Sequence, residues 1–321
     1  MSERLSAWKP YMALLAVYVI WGTTTGAIHL GVTSIPSAVL PCSRFLLAGS
    51  LLTAFCLFKG QSFPRWADLK THAIVGFLLF FAGNSIVCWT VKYMSTGFGS
   101  VLVATTPLWM TLLSALLPPR ERIPGLSLLG IFIGFGGMLI LLSPQLTHLR
   151  ETTDIFWMCM LGLAVMTFCW ALGSIYVRKH PTQDSLLMSV GVQNLVAGVL
   201  LLPVCWLTVP DWSAVHPTGT SISAWLYLTL FGTMVATPCY LFVLKALPVS
   251  VSSTFAYVTP VLTVIFGAMF LNETVTPTMA VGAAVILCGV SLVQVMNRQQ
   301  WAGKNRPKVF SPDELEVSTS S

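Results

Sequence analysis

Residues 16–25 read AVYVIWGTTT, and residues 165–174 read VMTFCWALGS. When the chain is shifted by 149 positions, Trp21 falls on Trp170. Further matches follow in the same order with a small change of offset: Thr25 with Ser174, Arg44 with Gln193, Lys92 with Lys245, and Thr106 with Thr259. Such matches are much rarer by chance than matches of leucine or valine. The chain therefore contains two related halves, and this repeat decides the fold.

The rest of the sequence is too apolar for a water-soluble protein. Of the 321 residues, 55% are hydrophobic and 9% are charged, whereas soluble domains carry about 25% charged residues. Apolar runs of about 20 residues, enough to cross roughly 30 Å of hydrocarbon, recur along the chain. Spans are predicted at residues 11–30, 38–58, 72–93, 97–117, 124–142, 155–177, 185–207, 222–246, 249–271 and 277–296. The sequence predicts an all-α integral membrane protein with ten transmembrane helices.

The two halves are predicted to be oppositely oriented in the membrane. The first repeat covers residues 11–146 with helices 1–5, and the second covers residues 155–296 with helices 6–10. Because each repeat contains an odd number of spans, the second enters the membrane in the opposite sense to the first. Two inverted halves can exchange shapes and open a central site first to one side and then to the other.

The distribution of positive charge predicts the orientation of the chain. With a cytoplasmic amino terminus, all but three of the 17 Lys and Arg residues lie in cytoplasmic segments, the exceptions being Arg44, Lys92 and Arg150. The positive-inside rule thus explains the net charge of +6 without a nucleic-acid partner. We predict a multi-pass protein of the cytoplasmic (inner) membrane, with residues 1–10 and a disordered tail, residues 297–321, both cytoplasmic.

Polar side chains at helical spacing mark helix faces that avoid lipid. Tyr18, Trp21 and Thr25 form such a stripe on helix 1, and Trp170 and Ser174 form its counterpart on helix 6. Hydrogen bonding between packed helices is the alternative explanation for each hydroxyl. The predicted substrate-binding residues are Tyr18, Trp21, Thr25, Arg44, Asn84, Trp89, Thr106, Trp109, Trp170, Ser174, Gln193, Thr237, Tyr240 and Tyr257.

Arg44 is a permanent cation inside predicted helix 2. An arginine at the centre of a bilayer costs about 2.5–3.5 kcal/mol on insertion scales, so something must compensate for its charge. A structural tie is one interpretation, either by snorkelling to the interface or by bonding to helix C-terminal carbonyls. Binding of an anion, such as a substrate carboxylate, is the other. The sequence leaves both open.

Two prolines and one histidine complete the candidate residues. Pro107 and Pro260 lie inside predicted helices 4 and 9 and are predicted to act as hinges. None of the predicted spans contains Asp or Glu. If transport is coupled to an ion, the coupling group is therefore His29, a loop carboxylate, or backbone and hydroxyl oxygens. The Cys and His residues lack metal-ligand spacing, so no metal and no cofactor are predicted.

The run from Ala16 to Thr24, followed by Arg44-Phe45-Leu46-Leu47-Ala48-Gly49, resembles the EamA family of the drug/metabolite transporter superfamily, especially its YedA-like members. The resemblance covers residues 11–296. It implies a basket of two inverted five-helix halves, with a cavity lined chiefly by helices 1–4 and 6–9. Such members have an arginine near the end of helix 1 where this chain has His29, so their preference for substrate charge is not carried over.

Together these features predict a secondary transporter that exports or exchanges a small polar metabolite, an amino acid or a related molecule, by alternating access. The predicted partners are this small-molecule substrate and the lipid bilayer, with the chain as a monomer or a homodimer. A non-transporting structural or regulatory membrane protein is the alternative. A membrane-embedded enzyme is the least supported, because the histidines are scattered at loops and helix ends and no span holds a carboxylate.

Overall fold

The computed structural model describes residues 2–90, 93, 103–118, 120–121, 123–146, 154–270 and 276–304, and these residues contain no β-strand. Their main helices are α1 (Ser2–Gly31), α2 (Val39–Phe58), α3 (Trp66–Thr90), α4 (Thr106–Leu116), α5 (Gly125–Leu146), α6 (Asp154–Lys179), α7 (Leu186–Thr208), α8 (Gly219–Ala246), α9 (Phe255–Phe270) and α10 (Pro277–Lys304). One turn, Val249–Ser252, precedes α9, and a 3₁₀ turn, Trp212–Ala214, precedes α8.

Seven helices in the described ranges are long and apolar enough to cross a membrane: α1 from Trp8, α2, α3, α6, α7, α8, and α10 as far as Val295. Three shorter apolar stretches lie in α4, in α5 and around the start of α9. The all-helical membrane fold is thus confirmed. The number of ten spans stays a prediction, and residues 91, 92 and 97–102 of the predicted third and fourth spans lie outside the described residues.

Both terminal helices extend beyond the predicted spans. Helix α1 begins at Ser2 and α10 continues to Lys304, so residues 2–10 and 297–304 are helical where tails were predicted. Residues 297–304, NRQQWAGK, contain no proline, so nothing in them ends a helix that leaves an apolar span. The remainder of the predicted disordered tail, residues 305–321, lies outside the described residues.

Helices α2 and α7, which occupy equivalent places in the two halves, pack antiparallel through glycine. A methyl group at Gly49 would lie 2.8 Å from the carbonyl oxygen of Gly191, and one at Gly198 would lie 2.7 Å from the side chain of Leu46. Small residues at such a contact allow the two backbones to approach closely. The equivalent helices of an inverted repeat therefore meet along their length.

Helices α5 and α10 form the second pair of equivalent helices and use the same device. A methyl group at Gly137 would lie 2.7 Å from the backbone nitrogen of Ile286, and one at Gly289 would lie 2.6 Å from that of Gly134. Both glycine contacts lie within one protomer.

The remaining helices exchange partners between the halves. Helix α1 packs against α8 and α9 of the second half, and α6 packs against α3 and α4 of the first half. The side chain of Ser221, near the start of α8, bonds to the carbonyl of Leu30, whereas Arg178 bonds to the carbonyl of Leu244 near the end of α8. Helices α1 and α6 therefore end at opposite ends of the bundle, called here the His29 end and the Arg178 end, as two inverted repeats require.

Helices α3 and α8 share a local irregularity. Each contains a π-helical segment, Gly76–Ala82 in α3 and Leu228–Val235 in α8, and these starts are 152 residues apart. The Thr237 hydroxyl donates to the carbonyl of Gly232, five residues earlier, at 3.4 Å. A π segment widens the helix and leaves carbonyls for side chains to use, which is why such segments are frequent at functional sites.

Candidate functional site

A cavity of about 150 Å³ lies where the two halves meet. Its described lining comes from α1, α2, α3, α4, α6, α8, α9 and the residue Val103 before α4: Trp21, Thr24, Thr25, Ile28, Arg44, Phe45, Phe80, Gly83, Asn84, Val87, Val103, Thr106, Met166, Trp170, Gly232, Thr233, Thr237, Phe255 and Thr259. These are the helices that the family resemblance implied, apart from α7. Both halves of the repeat contribute residues to this lining.

Half of the residues predicted to bind substrate line this cavity: Trp21, Thr25, Arg44, Asn84, Thr106, Trp170 and Thr237. They come from six helices, so the fold gathers them from distant parts of the sequence. Their presence in one cavity does not itself show a substrate, and substrate binding stays a prediction.

The two tryptophans matched by the repeat meet each other at the centre of the bundle. The Trp21 and Trp170 rings lie edge to face with centroids 5.4 Å apart, an arrangement that aromatic pairs prefer. The Trp21 indole nitrogen donates to the carbonyl of Gly232 in the π segment of α8 at 3.3 Å. The Phe255 ring, 5.1 Å from Trp21, completes the cluster. Phe255 was missed from the sequence because an apolar residue in an apolar helix carries no polarity signal.

Tyr240 and Ser174 form a hydrogen-bonded group with Trp170. The Trp170 indole nitrogen donates to the Tyr240 hydroxyl oxygen at 3.1 Å, and the Ser174 and Tyr240 hydroxyls are 2.7 Å apart. Both residues were predicted to bind substrate, but neither is among the described lining residues. Ser174 lies one turn beyond Trp170 on α6, toward Arg178, and Tyr240 lies in α8, nearer its Arg178 end than the cavity residue Thr237. The cluster therefore closes the cavity on the side of the Arg178 end.

Arg44 is the charged group of the cavity. Its side chain is 3% exposed, and its guanidinium lies 4.7 Å from the centroid of the Phe45 ring. The Nη2 atom donates to the Oδ1 atom of Asn84 at 2.5 Å, whereas the Nε atom has no hydrogen-bond partner. No Asp or Glu occurs among the described lining residues. The cavity therefore carries a positive charge that its own walls do not balance.

Two predicted tyrosines lie outside the cavity and connect helices. The Tyr18 hydroxyl is 2.5 Å from that of Thr254 and accepts a bond from Gln294 at 3.3 Å. The Tyr257 hydroxyl donates to the carbonyl of Ile131 in α5 at 3.0 Å. These polar side chains face other helices rather than a cavity, as the hydrogen-bonding alternative for polar stripes allows.

Three more predicted residues also lie away from the cavity. Trp109 packs against Phe168 with ring centroids 5.3 Å apart, and Trp89 packs against Tyr93 at 5.5 Å. Gln193, the repeat counterpart of Arg44, is not among the described lining residues, and its side chain lies beside His72 instead. Aromatic residues at helix contacts and at cavity walls have the same sequence pattern, which is why the prediction included them.

Of the two predicted hinge prolines, one lies where it was predicted in its helix and the other does not. Pro107 lies in the first turn of α4, where a helix loses no hydrogen bond to proline, rather than well inside a helix. Pro260 lies inside α9 as predicted, but the helix is interrupted earlier, between the turn Val249–Ser252 and Phe255. His29 is exposed in the last turn of α1. Hinge and coupling roles for these residues stay predictions.

A group of polar contacts closes the Arg178 end. The Nε atom of Arg178 donates to the Oε1 atom of Glu121 at 2.7 Å, and Nη1 donates to the carbonyls of Leu244 and Leu247. The neighbouring Lys179 donates to the carbonyl of Leu117. These contacts, called here the Arg178 clasp, join the ends of α4, α6 and α8. The sequence offered one signal for it, because the shift of 149 places His29 on Arg178.

A second polar contact lies near the same end. The Nε2 atom of the completely buried His72 is 2.8 Å from the Oδ2 atom of Asp184, and its Nδ1 atom is 3.4 Å from the side-chain nitrogen of Gln193. These bonds join the start of α3 to the segment before α7. At the His29 end, the Ser34 and Ser221 hydroxyls are 2.7 Å apart and join the α1–α2 connection to the start of α8.

In the described parts of the chain no three His, Cys, Asp or Glu side chains are grouped so as to hold a metal ion. The described lining offers five aromatic side chains, several threonine hydroxyls, one amide and one guanidinium. Such a lining suits the reversible binding of a small molecule, with an apolar body and few polar groups.

Comparisons with known proteins agree with this architecture. The sequence profile of the EamA-like transporter family matches residues 8–143 and 157–295. The chain is 32% identical over 284 residues to the uncharacterized inner membrane transporter YedA of Escherichia coli (strain K12), covering 88% of this chain and 89% of that protein. It is 23% identical to the uncharacterized transporter YoaV of Bacillus subtilis (strain 168), covering 88% and 95%. A solved crystal structure, 20% identical, shares the fold with a TM-score of 0.73 over 91% of this chain and 98% of that one.

Proposed function

Because the chain belongs to the EamA-like transporter family, we propose that it is a secondary transporter that exports or exchanges a small polar metabolite, an amino acid or a related molecule. Its relatives are named transporters, one of them of an inner membrane, which points away from an enzyme and toward a multi-pass protein of that membrane. The observation that carries the proposal is the cavity at the meeting point of the two halves, with the matched Trp21 and Trp170 at its base.

Alternating access is the proposed mechanism. The cavity is closed toward the Arg178 end by the aromatic cluster and then by the Arg178 clasp. The clasp's ion pair is partly exposed, with Arg178 and Glu121 side chains 21% and 30% accessible. A partly exposed pair contributes about 1 kcal/mol or less, so this ion pair can break when the halves move. Because α1 and α6 each pack against the opposite half, a shift of one half against the other moves both walls of the cavity together.

The proposed orientation follows from the positive-inside rule. With both termini in the cytoplasm, the Arg178 end, where Lys179 and Lys245 also lie, faces the cytoplasm. The structure then corresponds to the state closed on the cytoplasmic side. No cavity residue in the described ranges is a carboxylate, so we propose that transport has no strict requirement for a proton gradient.

The test is solute flux in proteoliposomes. Vesicles that hold the purified full chain are loaded with a labelled mixture of amino acids and related metabolites, and efflux is followed with and without a pH gradient. Trp170→Ala, which removes the base of the cavity, should abolish flux with normal membrane insertion. Trp206→Ala is the matched control, because Trp206 is 75% exposed on the surface of α7, and this variant should transport normally. Equal flux in both variants, or no flux of any solute through the native chain, would contradict the proposal.

A further inference from the structure

We propose that Arg44 binds the carboxylate of the transported molecule, so the substrate class is a small carboxylate with an aromatic or apolar body, and that an ammonium group is not required. This inference rests on the proposed function and makes its substrate more specific. It is carried by the setting of one guanidinium in the described structure.

The surroundings of Arg44 exclude both snorkelling and a bond to helix C-terminal carbonyls. A snorkelling arginine reaches the membrane surface with its charged head in water, but Arg44 is 3% exposed and contacts the ring of Phe45. Nor is the guanidinium tied to a helix C-terminal carbonyl, since its Nη2 atom donates to the side chain of Asn84. Neither form of the structural tie that the sequence allowed is the arrangement observed.

The charge of Arg44 is therefore buried against a neutral partner. Burial of a cation without a counter-charge is costly, and the Nε–H group lacks even a hydrogen-bond acceptor. An anion that enters the cavity would supply the missing counter-charge. Because Arg44 is one of the residues that line the cavity, the anion would bind to its guanidinium from the cavity side.

The shape of the guanidinium selects the anion. Arginine presents its N–H groups as a planar fork that matches the two oxygens of a carboxylate. Asn84 holds one arm of the fork through Nη2 at 2.5 Å and so fixes its plane. A carboxylate that bonds to the guanidinium from the cavity meets a group already oriented for it, which lowers the entropy lost on binding.

The other walls select the rest of the molecule. Aromatic side chains line the cavity on several sides: Trp21, Phe45, Phe80, Trp170 and Phe255. They offer a surface for an aromatic or apolar body. No described lining residue is an Asp or Glu, so an ammonium group on the substrate would meet only hydroxyl and carbonyl oxygens. We therefore expect the carboxylate, and not the ammonium group, to decide affinity.

Three probes that share a phenylethyl body and differ in the charged groups they carry separate these contributions. They are 3-phenylpropanoate with a carboxylate, free phenylalanine with both groups, and 2-phenylethylamine with an ammonium group. Binding to the purified full chain in detergent is measured by titration calorimetry and by quenching of tryptophan fluorescence, since Trp21 and Trp170 lie at the cavity. The first two probes should bind with affinities within about tenfold of each other, and the amine should bind at least about 30-fold more weakly.

Asn84→Asp is the decisive variant. It replaces the amide with a carboxylate of the same shape that bonds to Arg44, so the fold keeps the contact and the cavity loses its free charge. Binding of 3-phenylpropanoate should weaken at least about 30-fold, as expected when a buried charge pair is lost. Arg44→Gln should have the same effect where it folds. Gln61→Glu is the matched control, because it makes the same chemical change at an exposed side chain, and it should leave binding unchanged.

Two results would overturn the inference: equal binding of the amine and the acid, or undiminished binding of the acid to folded Asn84→Asp. Failure of all three probes to bind a chain that does transport other solutes would also overturn it. If carboxylates bind through Arg44 but no solute crosses the membrane in proteoliposomes, the binding site stands and the transport proposal fails. The two proposals can therefore fail separately.

Discussion

The two ends of the helix bundle are related by the repeat, yet they are held together by different chemistry. At the Arg178 end, Arg178 bonds to Glu121 and to two carbonyls. At the other end, the position equivalent to Arg178 under the shift of 149 is His29, which is exposed. The same position of the repeat thus holds an arginine with three hydrogen-bond partners in one half and an exposed histidine in the other.

A second pair of contacts shows the same difference. His72 and Asp184 join α3 to the segment before α7, and the equivalent of His72 under the same shift is Ser221, which bonds to Ser34 at the His29 end. A contact that includes a carboxylate is thus replaced by a contact between two hydroxyls across the repeat. Hydrogen bonds to charged groups contribute about twice as much as those between neutral groups.

The comparison bears on how an inverted repeat works. In a symmetrical chain the two closed states would have equal free energy, because each is built from the same contacts. Of the described contacts compared above, the two that include a charged group lie at the Arg178 end, so the state closed at that end should be the more stable one. Under the proposed alternating access, we expect the asymmetry of the side chains to set the resting state and the symmetry of the repeat to provide the second state.

The largest expected effect is that of Arg178→Ala. The variant removes the ion pair and both carbonyl bonds, and hydrogen bonds to charged groups contribute about 1.5–3 kcal/mol each. We expect flux in proteoliposomes to fall at least about tenfold, the equivalent of about 1.4 kcal/mol. His29→Ala, at the equivalent position, should change flux by less than about twofold. An equal loss in the two variants would show that the ends are not different.

A smaller effect is expected from His72→Ala. It leaves the carboxylate of Asp184 and the buried amide of Gln193 without their partner, which should lower the free energy of unfolding by about 1.5–3 kcal/mol. Ser221→Ala removes the hydroxyl's bonds to Ser34 and to the carbonyl of Leu30, which join neutral groups and should contribute about 0.5–1.5 kcal/mol each. Unfolding by sodium dodecyl sulfate in mixed micelles measures both. A larger cost for Ser221→Ala would reverse the ranking of the two ends.

The smallest effect is expected from Glu121→Gln. Arg178 keeps its bonds to the carbonyls of Leu244 and Leu247, and only the charge of a partly exposed pair is lost. Such pairs contribute about 1 kcal/mol or less, so flux should fall by no more than about fivefold. A loss as large as that of Arg178→Ala would mean that the ion pair alone, and not the carbonyl bonds, holds the clasp.

Much of the fold could be predicted from the sequence. Length and apolarity place the helices, and the match of Trp21 with Trp170 predicts the repeat that brings these rings into contact. The extent of α1 and α10 could not be predicted, because hydropathy marks where a helix leaves the membrane and not where it ends. The π segments in α3 and α8 leave no pattern in composition.

The site was only half predictable. Polar spacing identifies faces that avoid lipid, but it does not distinguish a cavity wall such as Thr237 from a helix contact such as Tyr257. The apolar Phe255 gave no signal for the opposite reason. The positive-inside rule already accounts for Arg178, so its charge does not by itself indicate a role at the end of the bundle. Its bond to Glu121 joins residues 57 positions apart, which the sequence pattern does not predict.

Alternation of the cavity between the two sides is tested most directly by labelling from each side. In a chain whose eight cysteines are replaced, Thr25→Cys places one thiol on the cavity wall, and a membrane-impermeant maleimide is applied to right-side-out or inverted vesicles. We expect labelling from both sides, slower from the Arg178 end and faster there once Arg178→Ala is added. Labelling from one side alone, unchanged by Arg178→Ala, would contradict a transporter of this design.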